Sequence, residues 1–449
     1  MGKQFPLIPE KVKKIETKYR KIVTDIPVPE SLPILEKLRR YEPISMTGQP
    51  PIIWDRAVGI NVYDKYGNMW LDFSSGVLVA NAGHGNEYVI NEIKKIIEKP
   101  LLHNYCFPSE IRAELVEKIA SLSPEPLKKV FLLTTGAETI ECAIKLARTY
   151  GKKRNRKIII TFEGAFHGRT LGAQSVGGIP ELKEWIVNPD PDIIVMPFPG
   201  DPRCKDRSFD LFLKILAERK IEGKDVCAVI SETYQGGNAS FMPVEYAKSL
   251  REWCDKNGVI LIFDEVQAGF GRTGTFWGFQ HYGIIPDLFC LGKGISSSLP
   301  ISAVVGREDI MNQYQPGTMT STHTGNPVCC ASALGSIKYI EENRLWENAE
   351  RMGRVFEREL NKLKKYELVG FVCGKGLVWG LHIVKPKTEQ PDSDKAFEIV
   401  KKCYEKGLLL FAPVGYKGAT IKINPPLIIN EEAIVEGCSV IEESIKELI

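Results

Sequence analysis

An apolar run from Val259 to Phe263 ends in two adjacent carboxylates, Asp264 and Glu265, and then enters a loop rich in glycine at Gly269, Gly271 and Gly274. An acid at the tip of a buried strand is costly unless a positive group partners it. A protonated ring nitrogen is one such partner. A second apolar run, Leu288 to Leu291, leads through Gly292 to a single lysine, Lys293. A lysine held beside a buried site loses its proton readily and serves as a Schiff-base amine. Charge stabilisation by Asp264 and covalent attachment through Lys293 are therefore the chemistry these two strand ends could do.

Three further segments carry polar or aromatic groups just past apolar runs. Thr134, Thr135, Gly136, Ala137 and Glu138 open a helix whose Ile140, Ala143, Ile144 and Ala147 share one face. A small-residue turn at a helix N-terminus offers free backbone N–H groups that suit a phosphate. Glu138 and Glu141 read more simply as acids that offset the helix dipole than as catalysts. Phe162 to Thr170 contains Phe166, His167, Gly168 and Arg169, and Ser321 to Pro327 contains Thr322.

Taken together and in this order, the motifs resemble the class-III (ω-) aminotransferases of the type I pyridoxal-phosphate fold, and the resemblance covers most of the chain. In that family an aspartate precedes the Schiff-base lysine by the interval that separates Asp264 from Lys293. The resemblance implies pyridoxal 5'-phosphate as cofactor, held by Gly136, Ala137, Phe166, Glu232, Asp264, Gln267, Lys293 and Thr322. Asp264 would keep the pyridine nitrogen protonated, Gln267 would bond the phenolic oxygen, and Lys293 would be both anchor and base. Phe166 would stack on the ring, with a core residue as its alternative reading. Arg169 would hold a distal carboxylate of an ω-amino acid. Thr322 would reach the cofactor phosphate of a neighbouring subunit, which implies a homodimer with shared active sites; its alternative is an N-cap of the following helix. Val77 and Tyr105 lie in segments that line the substrate side in the family, whereas His84 reads as a turn residue.

The pattern departs from the family at a glutamate and an arginine that together let one pocket serve two substrates. Glu232 to Gly237 resembles the glutamate's stretch, but Thr233 replaces its proline and Gly237 its last acid. Thr420 to Leu427 resembles the arginine's stretch, with Lys422 in its place. Lysine keeps the charge and loses the planar fork that grips a carboxylate; a strand-edge lysine reaching solvent is the other reading. The reaction implied is transfer of an amino group from an amine or ω-amino acid to a keto acid or aldehyde. The alternative is a family member that does not transaminate: an epimerase or racemase, an aminomutase or a decarboxylase. The missing acid at 237 argues against a racemase with a second base there. A non-catalytic binding protein would not need Lys293, Asp264 and Gln267 together.

The elements that must position these groups alternate apolar strands with helices: Val130–Leu133, Lys157–Phe162, Ile193–Met196, Val226–Ile230, Val259–Phe263, Leu288–Leu291 and Ser302–Val305. Such runs predict a mostly parallel seven-stranded sheet between helices, with ligands at the strands' carboxyl ends. The predicted large, cofactor-binding domain spans 76–330, and 1–75 with 331–449 form a smaller α+β domain. Lys152 to Lys157 reads as a solvated helix-to-strand turn rather than a basic patch.

A chain of 449 residues is long enough for such a pair of domains. A net charge of +3, from 59 basic and 56 acidic residues, gives no reason to expect nucleic acid. Eleven cysteines without CxxC spacing suggest reduced thiols in the cytoplasm and no metal site. No apolar stretch approaches bilayer length, and the N-terminus lacks a signal-peptide core. Gly2 is a weak myristoylation signal, because so short a motif arises by chance.

Overall fold

The computed structural model describes residues 3–449, so Gly2 lies outside the described residues. The chain forms two compact units: Met1–Asn86, Gly237–Ala239 and Leu345–Ile449 in one, Glu87–Gly236 and Ser240–Arg344 in the other.

The second unit is built on seven strands: β1 (Leu127–Leu133), β2 (Ile158–Phe162), β3 (Ile193–Met196), β4 (Val226–Glu232), β5 (Ile260–Asp264), β6 (Leu288–Leu291) and β7 (Ser302–Arg307). They lie in the order β1-β7-β6-β5-β4-β2-β3. β7 runs antiparallel to both neighbours, and the remaining pairs are parallel. β4 and β5 are buried at every position, as expected of strands covered on both faces. β1 starts earlier than the apolar pattern suggests, because Lys128 and Lys129 are half-buried within it.

The helix Gly136–Lys152 is set by a capping box, in which Thr135 and Glu138 exchange side-chain and backbone bonds. Its Ile140, Ala143, Leu146 and Ala147 pack with Ile159, Cys227, Ile230, Ile262 and Val304 in one core. Each such buried aliphatic side chain stabilises the fold by roughly 1.5–3 kcal/mol. Lys152 to Lys157 is indeed a turn between this helix and β2, and Arg156 donates to the Gly258 carbonyl at 3.0 Å.

The first unit joins both ends of the chain. A small sheet contains Arg56–Val58, Asn61–Tyr63 and Met69–Asp72, and Leu408–Leu409 adds parallel to Met69–Asp72. Val369–Lys375, Val378–Ile383 and Thr420–Ile423 form a second, antiparallel sheet. The first of these strands, half-buried over most of its length, escapes a reading that looks for continuous apolar runs.

The units divide after Asn86 and Arg344 rather than after 75 and 330. Phe73 to His84 bonds back into the first unit, where the Asn424 N–H donates to the Phe73 carbonyl at 2.8 Å and Gly59 pairs with His84. Pro327–Glu342 instead packs on Glu87–Glu98. In the first unit Ser75, Gly76, Val77 and Leu78 all have positive φ, from 51° to 66°. For residues other than glycine that conformation costs about 1–2 kcal/mol each.

The two packed helices meet at Gly335, where an added Cβ would lie 2.8 Å from the Tyr88 carbonyl oxygen and 2.9 Å from Val89 Cα. Gly335→Ala gains about 1 kcal/mol of helix propensity but must push a backbone away, at about 1–3 kcal/mol. The expected outcome is a net loss of stability, read as a lower urea midpoint.

Candidate active site

The side chains singled out in the second unit converge at the carboxyl ends of its parallel strands. Glu232 ends β4, Asp264 ends β5, and the two are register partners. Both are buried, at 3% and 6% exposure. Two carboxylates side by side in a dry interior need compensation, which comes from the segment after β2. His167 Nδ1 lies 2.8 Å from Asp264 Oδ2, while Asp264 Oδ1 accepts the Val266 N–H at 3.0 Å. Glu232 accepts the N–H groups of Phe166 and Gly236, each at 2.9 Å. Burial nevertheless holds the Glu232 carboxyl above its usual range, against the opposing pull of His167. His167 carries no role on sequence grounds, where it is a lone histidine beside the aromatic Phe166.

Lys293 follows β6 with φ of 44°, a strained value for a lysine. Burial lowers its ammonium pKa, and the charges of Asp264 and Glu232 work the other way. Gly136, Val266 and Gly292 pack so closely that a Cβ on Gly136 would come within 2.8 Å of Val266 Cγ1, and one on Gly292 within 3.2 Å. The phosphate-type turn, the loop after Asp264 and the lysine segment thus meet. A Cβ on Gly168 would lie 2.7 Å from that of Ala137, and the Gln267 amide lies against Gly236.

Among the described residues, the N–H groups of Gly136 and Ala137 have no acceptor, while Glu138 takes those of Thr134 and Thr135. Two free amides at the start of a helix of 17 residues suit an anion. Glu141 is more than a dipole partner, because it accepts from the N–H groups of Gly172 and Ala173 at 2.7 and 3.1 Å. Phe166 is half-buried rather than core, and the exposed Arg169 guanidinium sits 5.6 Å from its ring centre.

The profile of aminotransferase class-III proteins matches residues 44–445. The chain belongs to the class-III aminotransferases. A leucine/methionine racemase from Thermococcus litoralis is 33% identical, covering 92% of this chain and 95% of its own. A 4-aminobutyrate aminotransferase from Mycobacterium leprae is 32% identical, covering 94% and 97%. A crystal structure of a transaminase from the marine bacterium Virgibacillus superposes with a TM-score of 0.83 at 28% identity, covering 93% of this chain and 99% of that one. Members of the class use pyridoxal phosphate and act on small amine and keto substrates.

The remaining candidates of this aminotransferase lie on loops or in the first unit. Tyr105, with φ of 51°, places its hydroxyl 3.3 Å from Thr320 Oγ1, so its loop touches the one bearing Thr322. Thr322 is exposed and is not the N-cap of Pro327–Glu342; that position belongs to Asn326, whose side chain accepts from Val328 and Cys329. In the first unit, Val77 is exposed. Lys422 pairs with Gly380 on the strand Thr420–Ile423 and is only 1% exposed, which rules out an ammonium reaching solvent. A Cβ at Gly237 would lie 3.0 Å from Gly415 Cα, so a side chain there would need the Gly415 backbone to shift by a few tenths of an ångström.

Glu265 points away from Asp264, as strand alternation requires. It receives the Thr233 hydroxyl and the N–H groups of Gly278 and Phe279. Burial pushes its carboxyl up to about 7. A folded-state pKa above the unfolded value contributes stability that is complete below the unfolded pKa and lost as pH rises through 7. Glu265→Gln is therefore expected to lower the melting temperature more at pH 5 than at pH 8; calorimetry at the two pH values checks the sign.

Proposed function

We propose that this aminotransferase binds pyridoxal 5'-phosphate at the carboxyl edge of the parallel sheet and moves an amino group from an ω-amino acid or related amine to a keto acid or aldehyde. The observation that carries the reading is the convergence of Lys293, Asp264 with His167, and the free amides of Gly136 and Ala137. These residues fit the group: an anion site at a helix start, a buried acid for a ring nitrogen and a lysine whose burial favours the neutral amine.

Gly136 and Ala137 hold the phosphate, Phe166 covers a ring face, Gln267 bonds the phenolic oxygen and Lys293 is the covalent anchor. Bound pyridoxal phosphate supplies an electron sink for the carbanion left when the substrate carbon loses its proton. Asp264, oriented by His167, holds the positive charge at the ring nitrogen. Glu232 fixes the backbone of Phe166 and Gly236. Lys293 Nζ takes the proton from the substrate carbon and returns one when the acceptor is aminated. Arg169, exposed beside Phe166, supplies a cation for a substrate carboxylate, and Tyr105 bounds the substrate on its apolar side.

The reading extends to a homodimer in which Thr322 of one protomer reaches the phosphate site of the other. Its support is that Thr322 is exposed and that its loop meets the exposed segment of Leu102 and Tyr105, where Asn326 donates to the Leu102 carbonyl at 2.8 Å and the Tyr105 hydroxyl lies 3.3 Å from Thr320 Oγ1. Eleven free cysteines fit the reducing cytoplasm. A second reading, racemisation of an amino acid, is favoured by the kinship with a leucine/methionine racemase.

The test is the visible absorption of protein mixed with pyridoxal phosphate, followed on adding 4-aminobutyrate, L-leucine or L-methionine. Transamination predicts a band that one donor abolishes stoichiometrically and a 2-oxo acid restores. Lys293→Ala should form no such band and lose about 10⁴-fold in turnover. A band that persists while L-leucine or L-methionine loses its configuration assigns racemisation instead.

A further inference from the structure

Lys293 is held on one side by β6, whose last residue, Leu291, pairs with Ala303 of β7. On its other side the next strand begins only at Ser302. The segment between nevertheless keeps two residues other than glycine at positive φ, Lys293 at 44° and Ser297 at 54°. Such conformations persist only where the surroundings over-determine them. Here the surroundings include Ser332 and Ser336 of the helix Pro327–Glu342, whose spacing puts them on one face.

Ser336, fully buried, donates its hydroxyl to the Gly294 carbonyl at 3.3 Å, and Ser332, equally buried, donates to the Ser296 carbonyl at 3.1 Å. A hydroxyl has one hydrogen to give and lone pairs left to accept. Ser336 Oγ lies 2.8 Å from Ser297 Oγ, and Ser332 Oγ lies 2.8 Å from Ser298 Oγ, so each helix hydroxyl also receives one from the segment. The Ser298 N–H closes onto Ser296 Oγ at 3.2 Å. At the far end the Ser302 hydroxyl reaches the Thr135 carbonyl at 2.9 Å, directly before the free amides of Gly136 and Ala137. Serine brings a helix interior neither the best propensity nor apolar burial, and a buried hydroxyl is costly unless it is bonded. Both helix serines direct their bonds to the segment that begins at Lys293.

We propose that Ser332 and Ser336 are positioning residues for Lys293: bonded to the segment behind it, they hold its left-handed backbone and so fix where its amine stands relative to Asp264 and Glu232. The inference rests on the reading of Lys293 as the covalent anchor of the cofactor, and all these residues belong to the second unit. Burial favours the neutral nitrogen of Lys293, while Glu232 and Asp264, the latter carrying His167, oppose it with the smaller effect. A loosened segment admits water and moves that balance toward the charged form.

The test is the pH dependence of the visible cofactor band of the holoenzyme, which reports the proton on the nitrogen of Lys293, together with hydrogen exchange at the Ile295 and Ser298 amides. Ser336→Ala and Ser332→Ala are expected to raise the midpoint by about one pH unit, the equivalent of one lost hydrogen bond, and to speed exchange at both amides. Gly335→Ala disturbs the same helix where it meets Tyr88, and should lower stability with the midpoint unmoved. Ser336→Cys, which keeps the size and a weak donor, should fall between the serine and the alanine. If exchange quickens while the midpoint stays, or if Gly335→Ala moves the midpoint as far as the serine variants do, the serines are structural alone and the proposal is overturned. If neither exchange nor midpoint moves, the bonds do not hold the segment and the proposal is likewise overturned, with Lys293 still the anchor. A band absent from the unmutated protein removes Lys293 as anchor, and the positioning role with it. Should Ser336→Ala fail to fold, Ser336→Cys and Ser332→Ala decide between these outcomes.

Discussion

The arrangement depends on placing two carboxylates, Glu232 and Asp264, on neighbouring residues at the tips of two buried strands. Their mutual repulsion in a medium of low dielectric would be prohibitive without compensation. His167 on Asp264, with the amides of Phe166 and Gly236 on Glu232, provides it. Those amides and that ring belong to loops after β2 and β4, so the demand for compensation also fixes where those loops run. The same pair of acids opposes the desolvation of Lys293, so the lysine's protonation is set by a balance of burial and charge.

Close packing does the rest of the positioning. Gly136, Val266 and Gly292 approach so nearly that side chains at the two glycines would separate the loops that carry the amides, the acid and the lysine. Absence of a side chain serves a different end at Gly237. There the Gly415 backbone would lie 3.0 Å from an added Cβ, and Asn238 beside it receives the Tyr416 N–H at 2.9 Å.

Backbone strain recurs at three of the candidate site residues. Lys293, Tyr105 and Val77 all have positive φ, and none is glycine. Strained residues of this kind need surroundings that hold them. In the first unit that support is buried hydrogen bonding centred on Asp72 and Asn424, residues with no chemistry of their own to draw attention to them.

Sequence alone determined the seven-stranded sheet, the strand-end location of the candidate residues and the turns bearing Gly136, Asp264 and Lys293. Those features rest on local signals: unbroken apolar runs, glycines at sharp turns and polar residues directly after strands. Tertiary structure decided the rest, because it depends on what packs against each residue. The pairing of His167 with Asp264 joins positions far apart in the chain, and Glu265 diverges from its neighbour only because a strand has two faces. Asn326 rather than Thr322 caps its helix, since the turn places Asn326 next to the free amides. The half-buried strand Val369–Lys375 is held by its ladder, not by its composition. Likewise, whether Lys422 lies at the surface or inside is set by its neighbours across the sheet, and periodicity carries no record of them.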